Sequence, residues 1–182
     1  MHRLTLAGFT ALSLIAAPTA WAGKVDVPLP TVVYSAQPKL HLLGAGQLYW
    51  FLFHVYNAAL YVDGQTYAPQ TAPFALAIQY KRDFSSRELA RTSLEQMDRL
   101  SHPSRSLHAA FAEELKTAFP NVKPGDELVG LCVPQQYTAF YFNGKLFSTI
   151  HNPAFCPAFF GIWLDPATKV PGLRKKLLGP HA

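Results

Sequence analysis

An α+β domain with a mainly antiparallel sheet is what this 182-residue sequence predicts, and three observations carry that expectation. Runs rich in aromatic and branched residues occupy the stretch before residue 81 and the stretch after residue 126, which is the composition of strands. Between them the apolar spacing becomes helical, opened by a capping box and divided by a proline. Strands, two helices, strands and a helical tail is the element order of an α+β fold, not of repeated βαβ units.

The elements follow in order. Met1-His2-Arg3 gives a positive start, Leu4 to Ala17 is an uncharged and mostly apolar run, and Ala20-Trp21-Ala22 is a small-residue cleavage pattern ahead of Gly23. This is the three-part pattern of a secretory signal peptide, and the run is too short to span a bilayer. The expectation is a leader over 1–22, a single domain over 23–182, and a periplasmic or secreted location. Residues 24–38 carry Pro28, Pro30 and Pro38 around Thr31-Val32-Val33-Tyr34 and read as an extended edge segment. Gly44-Ala45-Gly46 reads as a turn, and Gln47 to Val62 as two aromatic strands meeting near Asn57. Asp63-Gly64 ends that run, and Phe74 to Tyr80 is a further strand. Ser85-Ser86-Arg87-Glu88 is a capping box, after which Leu89, Ala90, Leu94, Met97 and Leu100 share a helix face. Pro103 interrupts, and Leu107, Ala110, Phe111, Leu115 and Ala118 mark a second helix ending by Pro120. Strands return at 127–133, 137–142 and 146–151, with Asn143-Gly144 as a hairpin turn between the last two. Helical segments at 153–164 and 173–178 finish the chain, with Gly179 as a stop.

Composition narrows the function. With 49% hydrophobic and 15% charged residues the chain is too apolar to be disordered. The net charge of +5 is spread without a basic stripe, which argues against nucleic acid as a partner. Gly44-Ala45-Gly46 holds two glycines of a dinucleotide fingerprint, but a strand follows where a helix N-terminus is needed. His41, His54, His102, His108, His151 and His181 form no metal-binding pair, so no metal or other cofactor is expected. Glu113-Glu114 and Asp126-Glu127 read as solvated charge, and His54 as a structural histidine in an aromatic strand. Cys132 and Cys156 are a disulfide candidate in an oxidising compartment, the alternative being two buried thiols. The residues by themselves lead to an exported domain whose aromatic-rich sheet offers a place for an apolar ligand.

Five ordered pieces carry a resemblance. Leu43-Gly44-Ala45-Gly46 with Val55-Tyr56-Asn57-Ala58-Ala59-Leu60-Tyr61-Val62 is similar to the opening of the chalcone isomerase-like family. Gly125-Asp126, Asn143-Gly144-Lys145, Ile162-Trp163-Leu164 and Leu173 to Gly179 resemble that family in the same order, so the likeness spans about residues 30 to 179. It implies an open-faced sandwich, a large antiparallel sheet with helices layered on one face. It also implies two functional positions: an Arg two residues after G-A-G that reaches an anionic oxygen, and in the isomerases a Thr on the next strand. Here those positions are Leu48 and Tyr56. A lost oxyanion donor typically costs about 10²–10³ in rate, and leucine supplies no replacement. It also removes the cation that a buried carboxylate needs, for which Lys81 or Arg82 is the substitute from elsewhere.

The reading is therefore an exported, non-catalytic member of the family that binds a small apolar or fatty-acid-like ligand. Leu48, Trp50, His54 and Tyr56 are the ligand-pocket candidates, because with Leu52 they share one face if the strand runs unbroken. The alternatives are an isomerase or intramolecular lyase on a flavonoid-like substrate, and an envelope partner-binding protein whose exposed aromatic strand docks another protein.

Overall fold

The computed structural model describes residues 25–179. The leader, its expected cleavage after Ala22, and His181 lie outside the described residues. The elements are α1 (Thr31–Ala36), β1 (His41–Trp50), β2 (Phe53–Val62), β3 (Phe74–Tyr80), α2 (Ser86–Ser101), α3 (Arg105–Leu115), β4 (Glu127–Val133), β5 (Tyr137–Phe142), β6 (Lys145–Ile150), α4 (Phe155–Leu164) and α5 (Pro171–Leu178). The strands form one six-stranded antiparallel sheet in sequence order.

Alternation along the strands divides the buried side chains between two faces. The inner face presents Leu60, Phe74, Leu76, Leu128 and Phe140 to the helices, which answer with Met97, Phe111, Phe155, Phe160 and Leu177. The outer face is built from smaller residues, Ala59, Ala75, Ala77 and Ala139 among them, beneath a single strip of chain carrying Val27, Leu29, Val33 and Leu40. Small side chains let that strip lie close, and the Tyr61 hydroxyl pins it by donating to the Val27 carbonyl at 3.0 Å. Burial of that phenol pushes its pKa up to about 12.

The local signals act as expected. Glu88 N–H donates to Ser85 Oγ at 3.2 Å, and Ser85 N–H donates to Glu88 Oε2 at 2.8 Å. Asn143 and Gly144 take φ values of 46° and 77° and join β5 to β6 in two residues. Gly179, at φ 77°, follows the end of α5.

Four expectations are corrected. The proline-rich stretch is not an edge strand, because residues 31–36 form α1 behind an extended Pro30. Its branched residues suggested a strand, but residues 31–36 pair with neither edge of the sheet, and a helical turn lets Val33 bury completely on the outer face. Gly44-Ala45-Gly46 is not a turn but part of β1, paired with Leu60, Ala59 and Ala58. The glycines answer a packing demand instead: α5 crosses β1 so closely that a Cβ on Gly44 would meet the Lys176 carbonyl oxygen at 2.2 Å. The β1–β2 turn falls at Phe51-Leu52, and Asn57 lies inside β2, paired with Gln47 and Gln79. The second helix also stops sooner than expected, at Leu115, although Ala118 stays buried.

Candidate functional site

A cavity of about 270 Å³ lies between the inner sheet face, α2 and α4, at the low end of the range for small-molecule pockets. The sheet lends it Leu76 and Ile78, and period two along β3 then brings Tyr80 to the same face. From α4 come Phe159, Phe160 and Trp163, spaced three and four residues apart on one helix side. Gly130 on β4 makes room for this wall, since a Cβ there would stand 2.9 Å from Phe160 Cζ. A disulfide between Cys132 on β4 and Cys156 on α4, with Cα atoms 5.9 Å apart, ties the helix to the sheet.

The polar groups facing this apolar space are mainly donors. Trp163 Nε1 donates to Tyr56 Oη at 2.7 Å, so the phenol keeps its own proton for another partner. Tyr80 packs edge-to-face against Tyr56 with ring centroids 6.2 Å apart. Burial raises the pKa of both phenols, so they remain neutral donors at physiological pH. On α2, Arg99 Nε donates to Gln96 Oε1 at 3.0 Å, leaving the Gln96 amide NH₂ as that side chain's unused end. Lys169 adds an ammonium. Glu88, the carboxylate among the lining residues, is engaged by the Ser85 backbone and hydroxyl in the capping box. Trp50, Glu88, Thr92 and Lys169 line the cavity and are also solvent-exposed, which places its mouth at the β1–β2 tip, the start of α2 and the segment after α4.

The sequence candidates divide accordingly. Leu48 and Tyr56 are direct cross-strand partners and both line the cavity, and Trp50 reaches its rim. His54 does not belong to it. Leu48 pairs with Tyr56 whereas Tyr49 pairs with His54, so Val55 is an extra residue that reverses the alternation. Val55 takes the cavity position, and His54 stacks on Tyr49 at 4.7 Å with its Nε2 2.9 Å from Asn57 Oδ1. The unbroken stripe through Leu52 is thereby corrected: the hairpin turn and the bulge both interrupt it. The substitute cations are elsewhere too. Lys81 Nζ donates to Gln79 Oε1 at 2.6 Å, and the Arg82 guanidinium lies 4.8 Å over the Phe53 ring. Sequence reasoning missed Tyr80, Gln96 and Lys169; only Tyr80 carried a signal, the alternation of Leu76, Ile78 and Tyr80.

Comparison with known proteins agrees with this architecture. An uncharacterised protein of Haemophilus influenzae is 27% identical over 148 residues, covering 80% of this chain and 72% of that protein. Among solved structures, a fatty-acid binding protein of Arabidopsis thaliana superposes with a TM-score of 0.58 at 14% identity, over 77% of this chain and 87% of its own. At that identity the likeness establishes the fold. The profile described as chalcone isomerase-like matches residues 22–179, and the chain belongs to the chalcone isomerase-like family.

Proposed function

We propose that this protein is an exported, non-catalytic binder of a short acyl-type ligand, whose tail fills the apolar cavity and whose oxygen-bearing head meets the donors around it. One observation carries the reading: the Tyr56 O–H, the Gln96 amide NH₂ and the Lys169 ammonium, donors without a partner among the described residues, line an apolar cavity whose carboxylate, Glu88, is held in its capping box. Such a wall accepts a ligand whose polar end is an acceptor, and it disfavours an unpaired donor on the ligand. Lys169 provides a cation at the mouth, which suits a carboxylate held near solvent better than one buried at depth. Leu48 beside Tyr56 leaves the two implied isomerase positions with one neutral donor between them, which supports binding without ring closure. The solved fatty-acid binding protein of the same fold supports the ligand class. Export is supported by the leader pattern and by the disulfide, which persists in oxidising compartments.

At about 30 Å³ per water-sized group the cavity holds on the order of nine non-hydrogen atoms, the nine tail carbons of decanoate with its carboxylate left at the mouth, so decanoate is the matched probe. Calorimetric titration across saturated fatty acids is expected to show the tightest binding near decanoate. Tyr80→Phe should weaken it about three- to ten-fold, the worth of one hydrogen bond. A chalcone assay should give the uncatalysed rate. Absence of decanoate binding, or chalcone turnover above background, refutes the reading.

A further inference from the structure

The tip of the β1–β2 hairpin is built against the usual rules of a soluble surface. Tyr49, Trp50, Phe51, Leu52 and Phe53 are consecutive large apolar residues, 52%, 67%, 85%, 94% and 56% exposed. Phe51 also holds φ 53°, a left-handed conformation that bulky side chains rarely adopt. The same molecule makes its other two-residue hairpin with Asn143-Gly144, the residues suited to that backbone. The β1–β2 tip thus forgoes both hydration and backbone ease, and Phe51 and Leu52 find no core packing in return.

The surroundings identify what covers it. No acidic residue lies within 49–53; the Arg82 guanidinium rests on Phe53, between Lys81 and Asp83 in sequence, and Lys169 and Glu88 line the mouth with Trp50, so cations outnumber carboxylates around the tip. Aromatic side chains flanked by cations are the composition that settles at a lipid–water interface, above all when the lipid is anionic. The shape agrees. A projecting two-residue turn offers little of the roughly 800 Å² per partner that a stable protein contact buries, whereas a fluid bilayer closes around a convex tip. Trp50 belongs at once to the tip and to the cavity rim. We propose that the Tyr49–Phe53 hairpin inserts into the interface of an anionic bilayer, turning the cavity mouth toward the lipid. Docking stands on the tip alone; its use in loading the cavity rests on the ligand-binding reading above.

Flotation with vesicles of phosphatidylglycerol and phosphatidylcholine tests this, with pure phosphatidylcholine vesicles as the neutral arm. The wild-type protein should float with the anionic vesicles and bind the neutral ones several-fold more weakly. Replacing the turn by Phe51→Asn together with Leu52→Gly installs the residues of the other hairpin, so the fold should be kept, as unfolding midpoints will show. This variant should lose at least ten-fold in vesicle partitioning and bind decanoate as the wild type does, since neither residue lines the cavity. Three results overturn the proposal: a wild-type protein that does not float, a variant that floats equally well, or equal binding to both vesicle types. A wild-type dimer that the variant dissolves, with no vesicle binding, would make the tip a protein contact and overturn it as well. Flotation without decanoate binding would leave docking standing and remove the cavity reading.

Discussion

Gly44→Ala is the sharpest test of how α5 is seated on the sheet. The added Cβ would stand 2.2 Å from the Lys176 carbonyl oxygen and 2.6 Å from that of Leu177, where ordinary contact starts at 3.4 Å. Both obstacles are backbone atoms of a helix, so no side-chain rotation relieves them, and α5 must withdraw by roughly 1 Å in a core packed to crystal density. Overpacking of this kind costs about 1–3 kcal/mol. Withdrawal also opens the seats of Leu173 and Leu177, now 4% and 0% exposed. Losing a fraction of the 1.5–3 kcal/mol that each buried leucine contributes adds about 1 kcal/mol. The expected loss is about 3 kcal/mol, read as a lowered denaturation midpoint at unchanged slope, or a Tm lower by about 6–12 °C. Gly172→Ala is the control: it lies in the same helix with open space around it, and alanine should be neutral or slightly stabilising there. Equal midpoints for Gly44→Ala and the wild type would refute the close approach of α5 as the reason for glycine in β1.

Two further outcomes are expected. The Cys132–Cys156 bridge closes a loop of sequence separation 24, so its reduction should cost about 3 kcal/mol on the chain-entropy model, measured as the midpoint difference with and without dithiothreitol. An unchanged midpoint would show that the bridge does not restrain the unfolded chain. Glu127 opens β4 half-buried, and burial raises its pKa from 4.5 to about 7. The folded state therefore holds a proton that the unfolded chain releases near pH 4.5. The associated stability is present below pH 4.5 and declines as pH rises to about 7. Glu127→Gln should flatten that part of the stability profile, and an unaltered slope would contradict the assignment.

What was legible in the sequence was what neighbours in the chain decide. The Ser85–Glu88 capping box and the Asn143-Gly144 turn are satisfied within four residues, so composition alone locates them. The glycines of β1 answer a helix about 130 positions later, and no window on the sequence contains both partners. The same holds for α1, whose helical turn is rewarded by the outer sheet face and not by its own branched residues. For the site, alternation brought Leu48, Trp50 and Tyr56 to the cavity and misplaced His54, because the extra residue Val55 reverses the alternation between Tyr56 and His54. Gln96 and Lys169 were invisible, since each matters only through the cavity that distant elements enclose. The hidden turn is the instructive case. Nothing between Tyr49 and Val55 signals a reversal, because Phe51 and Leu52 occupy the places that Asn and Gly fill in the other hairpin. The substitution that concealed the turn from sequence reasoning is the one that leaves an apolar tip in water, so this failure of a local rule marks the place where another surface is to be sought.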